Sequence, residues 1–300
     1  MKILIAGASG FVGSELVPFL THAGCEVKKL VRKNTDLASD EISWDPEKGI
    51  VNESELEGFD AMINLAGDSI SQGRWTEKKK KSILESRINA TRTLSNAIQR
   101  IKKPPKIFIN ASAVGYYGSR GDSILTEDSQ SGTGFLAHVC EEWEAAALPI
   151  ASKNVRLMNT RFGMILSANG GALAKMLIPF KFGLGGVIGS GNQYISWITL
   201  DEVLGIIYHI LNTDTLAGPV NVATPNPVTN STFTKTLGKV LSRPTFLTMP
   251  ATVAQLVFGE MADELLLASQ RVSCEKLIGS GYQFCQPQLE QALQQLLHKP

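Results

Sequence analysis

Cysteine and histidine are scarce in this sequence, with four residues of each among 300. The cysteines lie far apart along the chain, and the histidines do not fall at the spacing of metal ligands. A disulfide-stabilised domain has a denser cysteine framework, and a structural zinc site has ligand pairs close in sequence. We therefore expect no disulfide framework, no bound metal and a reducing, cytoplasmic location. The residues concerned are Cys25, Cys140, Cys274, Cys285, His22, His138, His209 and His298.

The sequence also lacks an excess of charge of either sign and any long apolar run. It has 29 Lys and Arg against 28 Asp and Glu, a formal net charge of +1. No overall field therefore draws the protein to nucleic acid or to an anionic membrane. No apolar run approaches the roughly 18 residues of a membrane-spanning helix. We expect a small-molecule substrate, no nucleic-acid partner and no membrane partner, and the oligomeric state stays open.

Short apolar runs alternate with helical patterns in the first half of the chain. The sequence predicts strands at residues 2–6, 26–31, 61–65 and 107–111, and helices at residues 13–22 and 77–100. This alternation predicts an α/β fold with a Rossmann-type doubly wound parallel sheet in residues 1–165. Glycine-rich and proline-dotted segments then predict a smaller α+β lobe in residues 166–300, from which later segments can return to the first domain. In residues 260–272 apolar residues recur at helical spacing, which predicts a helix there.

Three glycines in a G-x-x-G-x-x-G pattern follow the first predicted strand and precede the first predicted helix. In such a turn the first glycine permits the sharp bend, the second admits a pyrophosphate, and the third allows close packing of helix on strand. The helix N-terminus then offers free N–H groups to the phosphates. The alternative is that the glycines only make a turn. The predicted phosphate-binding residues are Gly7, Ser9, Gly10, Phe11, Val12 and Gly13.

The end of the second predicted strand distinguishes the two dinucleotides. A site for NAD has Asp or Glu about 20 residues beyond the glycines, whereas a 2′-phosphate favours a guanidinium. Here Val31 is followed by Arg32 and Lys33, 19 and 20 residues after Gly13. A guanidinium holds phosphate in a bidentate way, and a carboxylate would repel it. The sequence therefore predicts NADP as the cofactor, against the alternative that Arg32 is only a solvated loop charge.

Two segments, NLAG at 64–67 and NATRTL at 89–94, resemble the extended short-chain dehydrogenase/reductases. Further segments narrow the resemblance to the atypical YfcH-like epimerase family, whose members carry a C-terminal domain of unknown function. The resemblance extends over nearly the whole chain. Its segments are GRWT at 73–76, SR at 86–87, WEAAA at 143–147, GSG at 189–191, SWI at 196–198, PVTN at 227–230 and GEMAD at 259–263.

The resemblance implies further cofactor contacts. It places Val31 and Arg32 beside the adenosine 2′-phosphate, and it places Leu65 and Ala66, followed by Gly67, along the adenine and ribose. It also implies that the side chain of Arg87 reaches the cofactor from its helix. The backbone of Ile165 would contact the nicotinamide amide. The alternatives are that Leu65 and Ala66 are ordinary apolar core residues and that Arg87 is a surface charge.

The catalytic Tyr-x-x-x-Lys motif of the superfamily is missing, because no tyrosine is followed by lysine four residues later. Ser112, at the end of a predicted strand, resembles the superfamily's catalytic serine or threonine, and Tyr117 is the remaining phenol best placed to donate a proton. The alternatives are a strand cap for Ser112 and a packing aromatic for Tyr117. Where the motif is expected, His138, Cys140 and Glu142 occur instead, and they could supply a substitute acid or thiol. The alternatives are an exposed histidine at His138 and a small buried hydrophobic residue at Cys140.

We interpret the sequence as an NADP-dependent oxidoreductase or epimerase that acts on a carbonyl or hydroxyl of a small polar substrate, with nucleotide sugars as one candidate class. The alternative is an NADP-binding regulatory or sensor protein that has lost catalysis, which the missing motif favours. The loop and helix start near residue 197 resemble those that close over substrate, and we expect Asp201 to cap that helix.

Overall fold

The computed structural model describes residues 1–32 and 35–297. Lys33 and His298 lie outside the described residues. The strands are β1 Lys2–Ala6, β2 Glu26–Val31, β3 Glu41–Asp45, β4 Ile50–Val51, β5 Ala61–Asn64, β6 Ile107–Ala113, β7 Ile124–Leu125, β8 Arg156–Phe162, β9 Met164–Ser167, β10 Gly186–Ile188, β11 Tyr194–Ile195, β12 Trp197–Thr199, β13 Gly218–Val222, β14 Val228–Thr229, β15 Leu247–Met249 and β16 Arg271–Val272. The α-helices are α1 Gly13–His22, α2 Glu77–Arg100, α3 Phe135–Ala145, α4 Gly171–Lys181, α5 Leu200–Asn212, α6 Asn230–Leu241, α7 Ala251–Phe258, α8 Glu275–Gly279 and α9 Leu289–Leu297. Shorter 3₁₀ segments are Glu53–Leu56, Val114–Tyr117 and Leu148–Lys153, and Ala262–Leu266 is π-helical.

The main sheet has the strand order β13-β8-β6-β5-β1-β2-β3-β4. Every neighbouring pair in it is parallel except β3 with β4. The strand order reverses at β1, so the carboxyl ends of β1 and its neighbours meet at one edge, where ligands bind in such sheets. The predicted doubly wound parallel sheet is confirmed.

The core lies on both faces of β1. On one face Ile5 packs with Leu16 of α1 and with helix α5, and on the other face Leu4 packs with Leu94 of α2. A strand that is covered on both faces has no solvated side, which explains the continuous apolar run at residues 3–6.

The second lobe is built on three short strand pairs, β10 with β15, β11 with β14 and β9 with β12. Its own apolar cluster includes Leu173, Trp197, Phe233 and Leu293. Trp197 is fully buried, and its indole N–H donates to the carbonyl of Asn226 at 3.0 Å, so it is a core residue. Between the parts of this lobe the chain returns to the first domain, because α5 packs against α1 and β13 pairs with β8.

Two local predictions are wrong. In the stretch 260–272 only a short helical segment forms, and Val272 belongs to β16, which pairs with β7. The spacing of apolar residues there reflects burial against distant strands rather than a continuous helix. The cap of α5 is Thr199, whose hydroxyl accepts from the N–H of Glu202 at 3.3 Å, and Asp201 lies within the first turn.

Within residues 1–32 and 35–297, every helix is too short or too polar to cross a lipid bilayer. The same residues contain no group of three or more His, Cys, Asp or Glu side chains arranged to hold a metal ion.

Candidate cofactor and active site

The glycine turn, residues 7–13, has the tight geometry that its sequence predicts. Gly7 has a φ of +80°, and a Cβ there would lie 2.6 Å from the carbonyl carbon of Leu65. A Cβ on Gly13 would lie 2.2 Å from the carbonyl oxygen of Gly7. A side chain at either position would therefore push apart the backbones that form the turn.

Helix α1 begins directly after the turn without a side-chain cap at Val12. The N–H of Ser14 donates to the carbonyl of Gly10 at 2.9 Å, so the turn leads directly into the helix, and the helix dipole places positive potential at this end. A cavity of about 210 Å³ opens here between the turn and the second lobe. Its lining residues are Ser9, Gly10, Phe11, Ser14, Glu15, Ser167, Asn169 and Leu200.

Two glycines of the second lobe, Gly170 and Gly171, lie against the ring of Phe11, which lines this cavity. A Cβ on Gly170 would lie 2.7 Å from the ring of Phe11, and one on Gly171 would lie 3.0 Å from the same ring. Ile165, on the adjoining β9, is half-buried and pairs with Ile198 of β12. The contact of Phe11 with residues 170–171 thus brings β9 towards the glycine turn.

Val31 ends β2 beside the glycine turn, and Arg32 follows it. Val31 is half-buried and pairs with Ser43 of β3, while Arg32 is exposed. The other basic residue of this prediction, Lys33, lies outside the described part of the chain.

Leu65, Ala66 and Gly67 follow β5 along the opposite side of the turn. The N–H of Leu65 donates to the carbonyl of Ala6 at 2.9 Å, and the N–H of Ala66 donates to the side-chain oxygen of Asn64 at 3.2 Å. These bonds continue the sheet beyond the end of the strand and fix the backbone that faces Gly7.

Arg87 is directed at this backbone. Its Nη1 donates to the carbonyls of Asp68 and Ile83, both at 2.9 Å, and its guanidinium lies 5.0 Å from the ring of Trp143. Burial lowers the pKa of Arg87 from its ordinary value. Gly67 lies against the guanidinium, since a Cβ there would be 3.1 Å from Cζ. Arg87 therefore holds the loop after β5, and its direct contact with a cofactor stays a prediction.

Ser112 is buried at the end of β6 and does not act alone. Its hydroxyl donates to Oε1 of Glu144 on α3 at 2.7 Å. The same carboxylate accepts from Nε and Nη2 of Arg161 on β8 at 2.8 and 2.9 Å. Burial lowers the pKa of Arg161, but the hydrogen bonds and charge of Glu144 outweigh that effect and raise it. We call Ser112, Glu144, Arg161, Tyr117 and Asn221 the buried polar network.

Tyr117 lies at the other end of this network. Its side chain is fully buried. Its hydroxyl donates to Oδ1 of Asn221 at 2.7 Å and accepts from Nη1 of Arg161 at 2.9 Å. Burial raises the pKa of Tyr117 to about 12. The geometry shows Ser112 and Tyr117 linked through Glu144 and Arg161, and the catalytic roles predicted for both stay predictions.

Helix α3 occupies the place expected for the missing Tyr-x-x-x-Lys motif. Leu136 and Cys140, one turn apart, are buried there, and burial raises the pKa of the Cys140 thiol to about 11. His138 is exposed on the other side of the helix. The amino end of α3 is capped from the C-terminal region, because Glu264 accepts from the N–H groups of Phe135 and Leu136, both at 3.1 Å.

Sequence reasoning missed the partnership of Glu144 with Arg161. The signal that could have found it is a charged residue, Arg161, at the carboxyl end of a strand, because a guanidinium that is buried there needs a carboxylate. The position of that carboxylate, 17 residues earlier on a helix, is set by packing.

Comparison with known proteins matches two family models to the chain. The NAD dependent epimerase/dehydratase family matches residues 3–223, and a domain of unknown function (DUF1731) matches residues 249–296. Epimerase family protein YfhF of Bacillus subtilis is 40% identical over 301 residues, which are 99% of this chain and 98% of that protein.

Two solved structures are similar in both sequence and fold. Human epimerase family protein SDR39U1, crystallised with NADPH, has a TM-score of 0.91 at 35% identity and covers 99% of both chains. The nucleoside-diphosphate sugar epimerase of Corynebacterium glutamicum has a TM-score of 0.82 at 34% identity, over 99% of this chain and 58% of that chain.

Proposed function

The chain belongs to the NAD-dependent epimerase/dehydratase family, and from that premise we propose that it binds NADP(H) and transfers hydride at a carbonyl or hydroxyl carbon of a small polar substrate. The observation that carries the choice of NADP(H) is the exposed Arg32 at the carboxyl end of β2, next to the glycine turn. The NADPH bound to the human relative supports the same choice.

The residues around the turn fit such a cofactor. The uncapped start of α1 would hold the pyrophosphate, and the guanidinium of Arg32 would hold the 2′-phosphate. Val31, Leu65, Ala66 and Gly67 would line the adenosine half, and the backbone of Ile165 would face the nicotinamide. When bound, NADPH supplies a hydride to the substrate carbon.

Nucleotide sugars are the candidate substrate class, because the relative from Corynebacterium glutamicum carries that description. Ser112 is proposed to bind a substrate oxygen and Tyr117 to move its proton. Since both hydroxyls are engaged in the buried polar network, each would act only after exchanging a protein partner for substrate. The free thiols among the described residues fit a reducing cytoplasm.

A second candidate function is an NADP-binding regulatory protein without catalysis. The observation that favours it is that α3, where the Tyr-x-x-x-Lys motif is expected, has neither tyrosine nor lysine, together with the internal partners of Ser112 and Tyr117. Incubation with 4-deuterated NADPH and a set of carbonyl compounds separates the two functions. Transfer of deuterium to any compound supports the enzyme, and tight NADPH binding without transfer supports the regulator.

The cofactor choice is tested by calorimetric dissociation constants for NADPH and NADH. We expect Arg32→Ala to weaken NADPH binding on the order of 10- to 100-fold, because a charged hydrogen bond to phosphate is lost, and to leave NADH binding nearly unchanged. Arg100→Ala, an exposed arginine at the far end of α2, is the matched control. Equal affinity of the wild type for NADPH and NADH would end the NADP proposal.

A further inference from the structure

Large apolar side chains are exposed together at one end of the second lobe. Phe182 is 78% exposed and Phe246 is 90% exposed, and three aliphatic side chains beside them are also exposed. Single exposed apolar residues are ordinary, but a group of them marks an interaction surface. We call this surface the apolar tip, and it consists of Ile178, Phe182, Leu184, Phe246 and Leu247.

The apolar tip is one surface, although it comes from two distant segments of the chain. Nε of Arg243 donates to the carbonyl of Lys181 at 2.9 Å, which ties the end of α4 to the segment before β15. The side chain of Pro244 lies against Gly183, and Gly186 pairs with Leu247 between β10 and β15. These contacts bring Phe182 and Phe246 to the same end of the lobe.

The two chain segments that form the apolar tip carry charge of one sign. Residues 162–200 and 215–259 contain five Lys or Arg and no Asp or Glu, which the net charge of +1 for the whole chain conceals. Lys239 pairs with Glu290 of α9 at 2.7 Å. Within the described residues, Lys181 and Arg243, which adjoin the tip, have no carboxylate partner. The tip is therefore an apolar surface with a basic border.

Against the expectation of no membrane partner, which the balanced net charge favoured, we propose that the apolar tip docks on the surface of a bilayer that contains anionic lipids. Phenylalanine and leucine side chains of this kind enter the boundary between headgroups and acyl chains, and Lys181 and Arg243 would then meet lipid phosphates. A second copy of the chain fits less well. A twofold interface would place the basic border against itself, with no acidic residue in either segment to pair with it.

The test is co-sedimentation with vesicles of phosphatidylglycerol and phosphatidylcholine in equal parts, compared with phosphatidylcholine alone. The wild type is expected to sediment with the anionic vesicles and to be released by about 1 M salt, at which the Debye length is about 3 Å. The double variant Phe182→Ser/Phe246→Ser is expected to lower the partition coefficient at least about tenfold, because two large apolar side chains no longer enter the lipid.

Two further variants keep the test decisive. Leu148→Ser, which alters a leucine that is 60% exposed on another part of the surface, is expected to leave vesicle binding unchanged. Lys181→Glu is expected to weaken binding to anionic vesicles. This variant replaces the double variant in the test if the double variant shows an altered thermal unfolding curve. Absence of sedimentation, or equal sedimentation with neutral vesicles, overturns the proposal. A wild-type dimer in light scattering that the double variant dissociates would assign the tip to a second copy and also overturn it.

Discussion

Removing the carboxylate of Glu144 is the most direct test of the buried polar network. Arg161 is 3% exposed, and within the described residues the carboxylate of Glu144 pairs with its guanidinium at 2.8 and 2.9 Å. Glu144→Gln therefore leaves a buried guanidinium without a counter-charge. Breaking such a pair costs about 3–5 kcal/mol of unfolding free energy. We expect a value near 3 kcal/mol, because glutamine still accepts one hydrogen bond.

A double-mutant cycle gives this estimate its internal control. Glu144→Leu combined with Arg161→Met removes both charges and fills their volume with apolar atoms, which relieves the desolvation of the pair. The hydroxyls of Ser112 and Tyr117 each lose one partner, at about 1–3 kcal/mol each. We therefore expect the double variant to lose less stability than the sum of its single variants, with a coupling of at least about 2 kcal/mol.

The measurement is urea unfolding followed by circular dichroism at pH 7 for Glu144→Gln and for all four proteins of the cycle. A cost below about 1 kcal/mol for Glu144→Gln, as found for exposed ion pairs, would refute the reasoning. Additive losses in the double variant would refute it equally, because they would show that the two charges do not stabilise each other.

The remaining predictions concern the glycine turn and Tyr117. Gly13→Ala places a methyl group 2.2 Å from the carbonyl oxygen of Gly7. We expect it to lower the free energy of unfolding in urea by about 1–3 kcal/mol and to weaken NADPH binding at least about tenfold in calorimetry. Gly279→Ala, whose methyl group would meet open space, should change neither quantity. Equal effects of the two substitutions would contradict this. Because the folded pKa of Tyr117, about 12, lies above its ordinary value of 10.0, its contribution to stability is complete below pH 10 and is lost between pH 10 and 12. In the Tyr117→Phe variant, the free energy of unfolding should therefore fall less steeply with pH in that window, by up to about 1.4 kcal/mol per pH unit. An unchanged slope of the unfolding free energy against pH, measured by urea unfolding, would count against this.

Local patterns predicted the part of the fold that positions the cofactor. The run at residues 3–6, the three glycines and the periodic helix after them each depend on neighbours in sequence, and β1, α1 and β2 have the predicted bounds. The same reasoning was wrong for Val272, because its pairing with Leu125 of β7 joins residues far apart in the chain.

The interior of the candidate site was less predictable than its cofactor side. The sequence predicted Ser112 and Tyr117 as candidate site residues because they have hydroxyl groups, but it did not predict their hydrogen-bond partners. Glu144 lies on a helix and Asn221 on a strand more than 100 residues from Tyr117, and only the packing of α3 and β13 brings them to these hydroxyls. A pattern of residue types along a chain contains no distances of this kind.

The carboxylate of Glu264 at the amino end of α3 has a consequence for how the chain can be divided. A gene fragment ending before residue 249 would encode a protein whose α3 starts with two N–H groups deprived of their acceptor, and Lys80 would lose its 2.9 Å bond to Glu260. The segment matched by the domain of unknown function thus supplies contacts on which the starts of α2 and α3 depend, so the first 248 residues alone would be less stable than the whole chain.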